Sequence, residues 1–373
     1  MKSHLRSALV AAGILLLAGC AQLGYYVQAA GGGLSLLADA KPIDEWIADP
    51  STTLTLRERL KKVKQIRSFA ARELGLPDNG TFKTYTDLKR PFVLWNVVAA
   101  PEFSVRPTQW CFPIAGCVNY RGYYNKEDAQ YFATGLRAEG FDVQVAGVPA
   151  YSTLGWFNDP VLSTFIQYPE PELARMVFHE LAHQVAYAPG DSPFNESFAT
   201  TVEAAGLERW LATFGNDALR KSHAVHEVRK KDFLSLLMKT RRELEDNYAR
   251  SVSNSEKKRQ KLAIFDHLQA EYQILKTSWN GYAGYDRWFG EPLSNAHLAA
   301  IATYQDFVPA FHALLLREKT LPGFYAAVKA LALLDKSARH RQLNALALQA
   351  PALTAQAGDL YSMSIPTKQQ GAR

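Results

Sequence analysis

Phe178-His179-Glu180-Leu181-Ala182-His183-Gln184 is the stretch around which the chain is organised. A helix turns once in 3.6 residues, so His179 and His183 stand one above the other on one face. Two imidazoles so placed can converge on one metal ion. Glu180 follows the first of them, where a carboxylate can take the proton of a water at the open coordination position. The surrounding residues suit this helix. Pro169-Glu170-Pro171-Glu172 places prolines in a first turn, and glutamates where the helix dipole is positive. Leu173, Met176, Val177, Leu181 and Val185 form a core stripe, while Ala182 and Ala186 beside the histidines are too small to block a metal.

Pro189-Gly190 stops this helix, and Asp191-Ser192-Pro193 starts another, with a capping residue followed by proline at the first helical position. A catalytic zinc takes three protein ligands and keeps one position open. The short turn folds the second helix back on the first, so Glu196 is a candidate third ligand, preferred for the family resemblance of Asn195-Glu196-x-Phe198-Ala199. Glu203, seven residues further on the same face, is the other acid that could serve. With Glu196 as ligand, Glu203 becomes the carboxylate that holds a ligand imidazole in orientation. One Zn2+ is the expected cofactor.

Upstream, Leu56 to Leu74 has helical spacing and ends at Gly75, Pro77 and Gly80. Strands are expected over Phe92–Val98, Val118–Tyr124, Phe141–Val145 and Ser152–Phe157, with a helix over Lys126–Arg137. The edge of the Ser152–Phe157 strand would offer itself to an extended peptide. Downstream, Asp217 to Leu275 is charged and helix-prone, with one break at Ser251–Ser255, and reads as an antiparallel hairpin. Val228, Leu234, Met238, Leu262, Phe265, Leu268 and Tyr272 are its inward residues. Helices follow over Asn295–Tyr304, Val308–Glu318, Pro322–Leu333 and Ser337–Leu346. The fold class is α+β: a small mixed sheet lobe leading into the H-E-x-x-H helix, then a large, mainly helical C-terminal part.

The expected organisation is a signal peptide over 1–19, a loosely packed tether over 20–54, and the sheet lobe with the metal helices over 55–216. The hairpin takes 217–275, a helical region 276–350 and an irregular tail 351–373. Lys2 and Arg6 precede a short apolar run, Ala8 to Leu17, and then Leu17-Ala18-Gly19-Cys20. That pattern resembles a bacterial lipobox, in which Cys20 becomes an acylated N-terminus. Ala21 then favours the outer membrane, facing the periplasm. Loss of 1–19 removes two basic residues, so 42 Lys+Arg and 36 Asp+Glu become a net 40 − 36 = +4. This mild charge, with no basic patch interleaved with aromatics, argues against nucleic acid as partner. Cys111 and Cys117 are the other two cysteines of three. An oxidising compartment pairs them across a short loop, the alternative being two buried thiols. Nothing in the sequence fixes an oligomeric state.

The two motifs, His179-Glu180-Leu181-Ala182-His183-Gln184 and Asn195-Glu196-Ser197-Phe198-Ala199, resemble those of the gluzincin peptidases. The alanyl-type aminopeptidases, with H-E-L-A-H-Q followed by N-E-G-F-A, are the nearest pattern. Ser197 stands where that pattern has glycine, the motifs lie closer together, and no G-A-M-E-N segment is present. The whole chain beyond residue 19 also resembles a bacterial family of zinc aminopeptidases, with Tyr285-Asp286-Arg287-Trp288-Phe289-Gly290 a second point of likeness. The resemblance implies hydrolysis of peptide or protein substrates. His179, His183 and Glu196 would hold zinc, and Glu180 would serve as base. A tyrosine would stabilise the oxyanion, for which Tyr285, or Tyr282 on the same glycine-flanked loop, is the expected residue. Other functions open to the same residues are an envelope endopeptidase in quality control, and an inactive membrane-tethered binding or chaperone protein.

Overall fold

The computed structural model describes residues 24–363 except 30, 113–115, 151–152 and 154–155, and for 302–305 and 351–363 only the backbone. The expected signal peptide and Cys20 lie outside the described residues.

The chain is α+β, with small sheets and many helices. Its leader is helical at 24–29 and again at 31–38, together α1. It is not loose: Leu36 is buried in the main core, and its carbonyl accepts a hydrogen bond from the Thr86 hydroxyl. The apolar side chains of the leader explain the difference, since each one covered is released from water.

Strand β1 (Lys41–Pro42) pairs antiparallel with β2 (Thr84–Thr86), which pairs parallel with β8 (Val161–Leu162). A short helix α2 (Ile43–Ala48) and the long α3 (Leu54–Leu74) lie between the first two strands. Thr53 caps α3 through its side chain, and Gly75 ends it at φ 65, a left-handed value that glycine adopts without cost. The second sheet has the order β6-β3-β7, from β3 (Leu94–Pro101), β6 (Arg121–Tyr123) and β7 (Phe141–Val148). Helix α4 (Lys126–Ala138) covers one of its faces and buries Ala129 and Ala133 there. The strand expected over Val118–Tyr124 is two strands. β5 (Gly116–Val118) pairs with β4 (Trp110–Phe112), and the Cys111–Cys117 disulfide joins that pair. Arg121–Tyr123 turns away to pair with β3.

No strand forms at Thr153, Trp156 or Phe157, and the rest of the expected 152–157 strand lies outside the described residues. The Thr153 amide donates to Asp159 Oδ2 and its hydroxyl accepts from the Phe157 amide, so a side-chain-locked turn wins over extended pairing.

The metal-motif helix α5 (Glu170–Ala182) and its return helix α6 (Ser192–Phe214) pack against α3 in the main core. Gly206 of α6 makes this possible: a Cβ there would lie 2.7 Å from Leu74 and 2.8 Å from Phe178. Helices α7 (Asp217–Ala249) and α8 (Asn254–Ser278) form the hairpin, over a separate core with Phe265, Leu268 and Tyr272 inside. Val228 and Leu262, expected inward, are exposed. The aromatic loop 279–290 fills the hairpin core instead: Tyr272 stacks on Phe289, and Phe233 on Tyr285, each at 4.0 Å between centroids. The C-terminal helices are α9 (Asn295–Gln305), α10 (Val308–Glu318), α11 (Leu321–Ala332) and α12 (Lys336–Met363). The last runs on through Pro351, where an irregular tail was expected. Ala350, Ala352, Leu353, Ala355 and Ala357 are strong helix formers and outweigh one proline.

Candidate metal centre

Helix α5 closes at Ala182, but His183 keeps helical backbone angles and its amide still bonds to the His179 carbonyl, so the two imidazoles stay in register. The residue after them is pinned sideways, with the Gln184 carboxamide bonded to Thr81 and Asn79. The turn to α6 is clamped by Asn195. Its side chain accepts from the Ala188 amide at 2.8 Å and donates to the Ala188 carbonyl at 2.9 Å. Asp191 occupies the cap position of α6, yet its carboxylate makes no capping bond. It is fully buried and bonded instead to Arg339 and His340 of α12. Ser197 accepts the Phe307 amide through its hydroxyl at 3.1 Å, a tether that a glycine could not supply.

These supports bring three side chains together. Among the described residues, His179, His183 and Glu196 form a group able to hold a metal ion, with ligand atoms all within 4.8 Å of one another. The two Nε2 atoms are 3.2 Å apart. Glu196 lies 3.3 Å from the Nε2 of His179 and 3.8 Å from that of His183. Tetrahedral zinc with bonds of about 2.0–2.1 Å sets neighbouring ligand atoms about 3.3 Å apart. The separations and the two-nitrogen, one-oxygen donor set therefore fit such an ion.

Glu203, one face-repeat beyond Glu196, does not enter that group. Its Oε2 lies 2.9 Å from His179 Nδ1, and its Oε1 accepts from Arg175 at 2.8 Å. Arg175 in turn reaches Glu227 at 2.7 Å. Burial alone would raise the Glu203 carboxyl, but His179 and Arg175 outweigh it and hold it at about 2. Burial likewise opposes the charge on His179, and its bonds to Glu196 and Glu203 reverse this, raising it well above the ordinary value. His183 has no carboxylate bonded to its Nδ1, so burial dominates and lowers it to about 4. Glu180 sits beside them, buried, and desolvation lifts it to about 7. The site thus holds one imidazole kept neutral and one carboxyl poised near neutrality.

All four side chains His179, Glu180, His183 and Glu196 line a cavity of about 420 Å³. Asn96 and Gly122 of the second sheet, Tyr124 just past β6, and Tyr25, Tyr26 and Ala29 of α1 line it as well. Tyr285 is not brought here. It belongs to the hairpin core, stacked on Phe233, and Tyr282 lies with it under the Arg229 guanidinium. The loop is a packing element: its aromatic rings fill the hairpin core, where large apolar area is taken from water. Among the tyrosines that do line the cavity, Tyr120 is raised by burial and by the nearby carboxylates of Glu196 and Glu180. Tyr187 lines it too. Sequence pattern could not single out Tyr120, which lies between β5 and β6 in an aromatic-rich segment read as one strand.

A family model described as "Putative aminopeptidase" matches residues 24–343, and the chain belongs to that family. No curated protein and no solved structure matches it. No helix of the described residues is long and apolar enough to cross a membrane.

Proposed function

We propose that this member of the aminopeptidase family is zinc-dependent, removes N-terminal residues from peptides, and does so lipid-anchored through Cys20 on the periplasmic side of a bacterial outer membrane. The observation that supports it most is the meeting of His179, His183 and Glu196 at ligand spacing, with Glu180 beside them in one cavity. Zinc, held by those three side chains, supplies Lewis-acid chemistry toward a water and a scissile carbonyl.

The chain's own residues do the rest. Glu180 takes the proton of the attacking water and delivers it to the leaving amine, a role that suits a carboxyl lifted to about 7. Glu203 accepts a hydrogen bond from the Nδ1–H of His179 and so leaves its Nε2 lone pair for the ion. Tyr120 offers its hydroxyl to the carbonyl oxygen as negative charge builds there.

The test is hydrolysis of a free-amine peptide by protein of measured zinc content, before and after a chelator, with the N-blocked peptide in parallel. Stoichiometric zinc and chelator-sensitive release of the first residue are expected. Zinc-loaded protein that cleaves neither peptide would sink the enzymatic reading.

A further inference from the structure

Strand β6 is at the edge of its sheet, and its Gly122, with Tyr124 just past the strand's end, lines the same cavity as His179 and Glu180. An edge strand beside a metal centre is a template for an extended peptide, which pairs with it through main-chain hydrogen bonds. Here that template is already in use. The Gln28 Nε2 donates to the Gly122 carbonyl at 3.3 Å, and the Gln28 Oε1 accepts from the Tyr124 amide at 3.1 Å. A single carboxamide thus satisfies the carbonyl of one residue and the amide of the residue two further on, as a neighbouring strand would.

The side chains around Gln28 hold it there. The Tyr25 ring stacks on Phe112 at 5.5 Å, meets Tyr123 edge-on, and has the Arg121 guanidinium 4.0 Å from its centroid. Tyr26 and Ala29 line the same cavity. Tyr26 and Val27 are exposed at 41% and 64%, while Tyr25 packs against the core of the second sheet.

We infer that the β6 edge is the peptide-pairing edge of the active site, and that residues 25–29 cap it, with the Gln28 carboxamide in the place of a substrate peptide group. A substrate can then pair only up to the cap, which admits a free N-terminus and turns away a chain that continues past it. This inference rests on the aminopeptidase reading and names what would make the site an exopeptidase.

The experiment uses the full chain as wild type, Gln28→Ala, and the near-isosteric Gln28→Glu, which sets a carboxylate against the Gly122 carbonyl. Two readouts are taken. The first is kcat/KM for an alanine tripeptide and for the same tripeptide N-acetylated. The second, on metal-free protein, is hydrogen exchange at the Tyr124 amide with and without the acetylated tripeptide.

Wild type should cleave only the free-amine peptide and should protect the Tyr124 amide. Both variants should raise the acetylated-to-free ratio by about tenfold or more, as expected when an obstructing contact is removed. Gln28→Ala should also lose Tyr124 protection and regain it with the acetylated peptide, whereas Gln28→Glu loses the bond to the Gly122 carbonyl and can still accept from the Tyr124 amide. Wild type that cleaves both peptides equally, or a Gln28→Ala variant that keeps Tyr124 protected or gains no protection from peptide, would overturn the cap. Wild type that cleaves neither would sink hydrolysis alone, and the exchange result would still decide the cap.

Discussion

Glu203 and His179 share a 2.9 Å contact between a carboxylate oxygen and Nδ1, which places the ring's other nitrogen against Glu196 and His183. The carboxylate is itself fixed by Arg175, so the orientation of the imidazole is set two residues deep. Glu203→Gln keeps the shape but can present an amide N–H to Nδ1, and the ring then no longer has a fixed tautomer. Loss of such a partner costs about 10–100-fold in metal affinity. Zinc titration against a competing chelator should show a loss of that size, and an unchanged affinity would reduce Glu203 to a packing residue.

Glu180 makes the second prediction, through pH. Its carboxyl stands at about 7 because burial penalises the charged form. A base must be ionised, so kcat/KM should rise with pH along an acid limb. The charge of a bound dication should set that limb at or below about 7. Glu180→Gln should erase the limb, lower turnover by about 10²–10⁴-fold, and leave zinc bound. Stability of the metal-free protein should follow the same group with a definite sign. A folded value raised above the ordinary 4.5 contributes stability at low pH that is lost as pH rises through about 7. Glu203, held at about 2, acts in the opposite sense, contributing above its ordinary value and losing that contribution as pH falls. Melting curves of metal-free wild type and Glu180→Gln across this range should therefore differ most at neutral pH, with the variant the more stable.

The two tyrosines give a paired prediction. Tyr120 lines the cavity with Glu180 and Glu196, whereas Tyr285 is stacked on Phe233 under the hairpin. Tyr120→Phe removes only the hydroxyl and should lower kcat by about 10²–10³-fold, the usual cost of one oxyanion donor. Tyr285→Phe keeps the stack and should leave kcat within about twofold, as expected for a group that touches no substrate. Steady-state kinetics on the pair would reverse the assignment if the losses came out the other way round.

What was legible in the sequence had a local cause. Histidines at i and i+4 share a helix face wherever that helix lies, and Asp191-Ser192-Pro193 announces a return helix whatever covers it. The ends of the helices at Leu74, Phe214 and Glu318 followed from glycine or from change of composition in the same way. What was not legible depended on distant partners. Tyr120 gains its position because the 116–123 segment divides its pairing between β4 and β3, and no residue in it marks the break. The leader packs because the Gly122 carbonyl and the Tyr124 amide, more than ninety positions on, bond to the Gln28 carboxamide. Asp191 has the composition of a cap, but its carboxylate is taken by α12 from 148 residues away.

That last contact carries a prediction for stability. Asp191 is fully buried, its carboxylate lies 2.5 Å from Arg339 Nη1, and the same guanidinium bonds to the carbonyls of Leu331, Ala332 and Leu334. The pair therefore ties the start of α6, and with it Glu196, to the C-terminal helices. Asp191→Asn keeps the volume but leaves a guanidinium buried without its counter-charge, which costs about 3–5 kcal/mol. Arg339→Met removes the charge from the other side and leaves a carboxylate that His340 still partly satisfies, so it should cost less than Asp191→Asn. If the pair is also what holds Glu196 in place, zinc affinity should fall with stability in both variants. Denaturant unfolding and zinc titration on the same samples separate the cases. Destabilisation with unchanged zinc affinity would mean that Asn195 and its clamp on Ala188 suffice to position the third ligand.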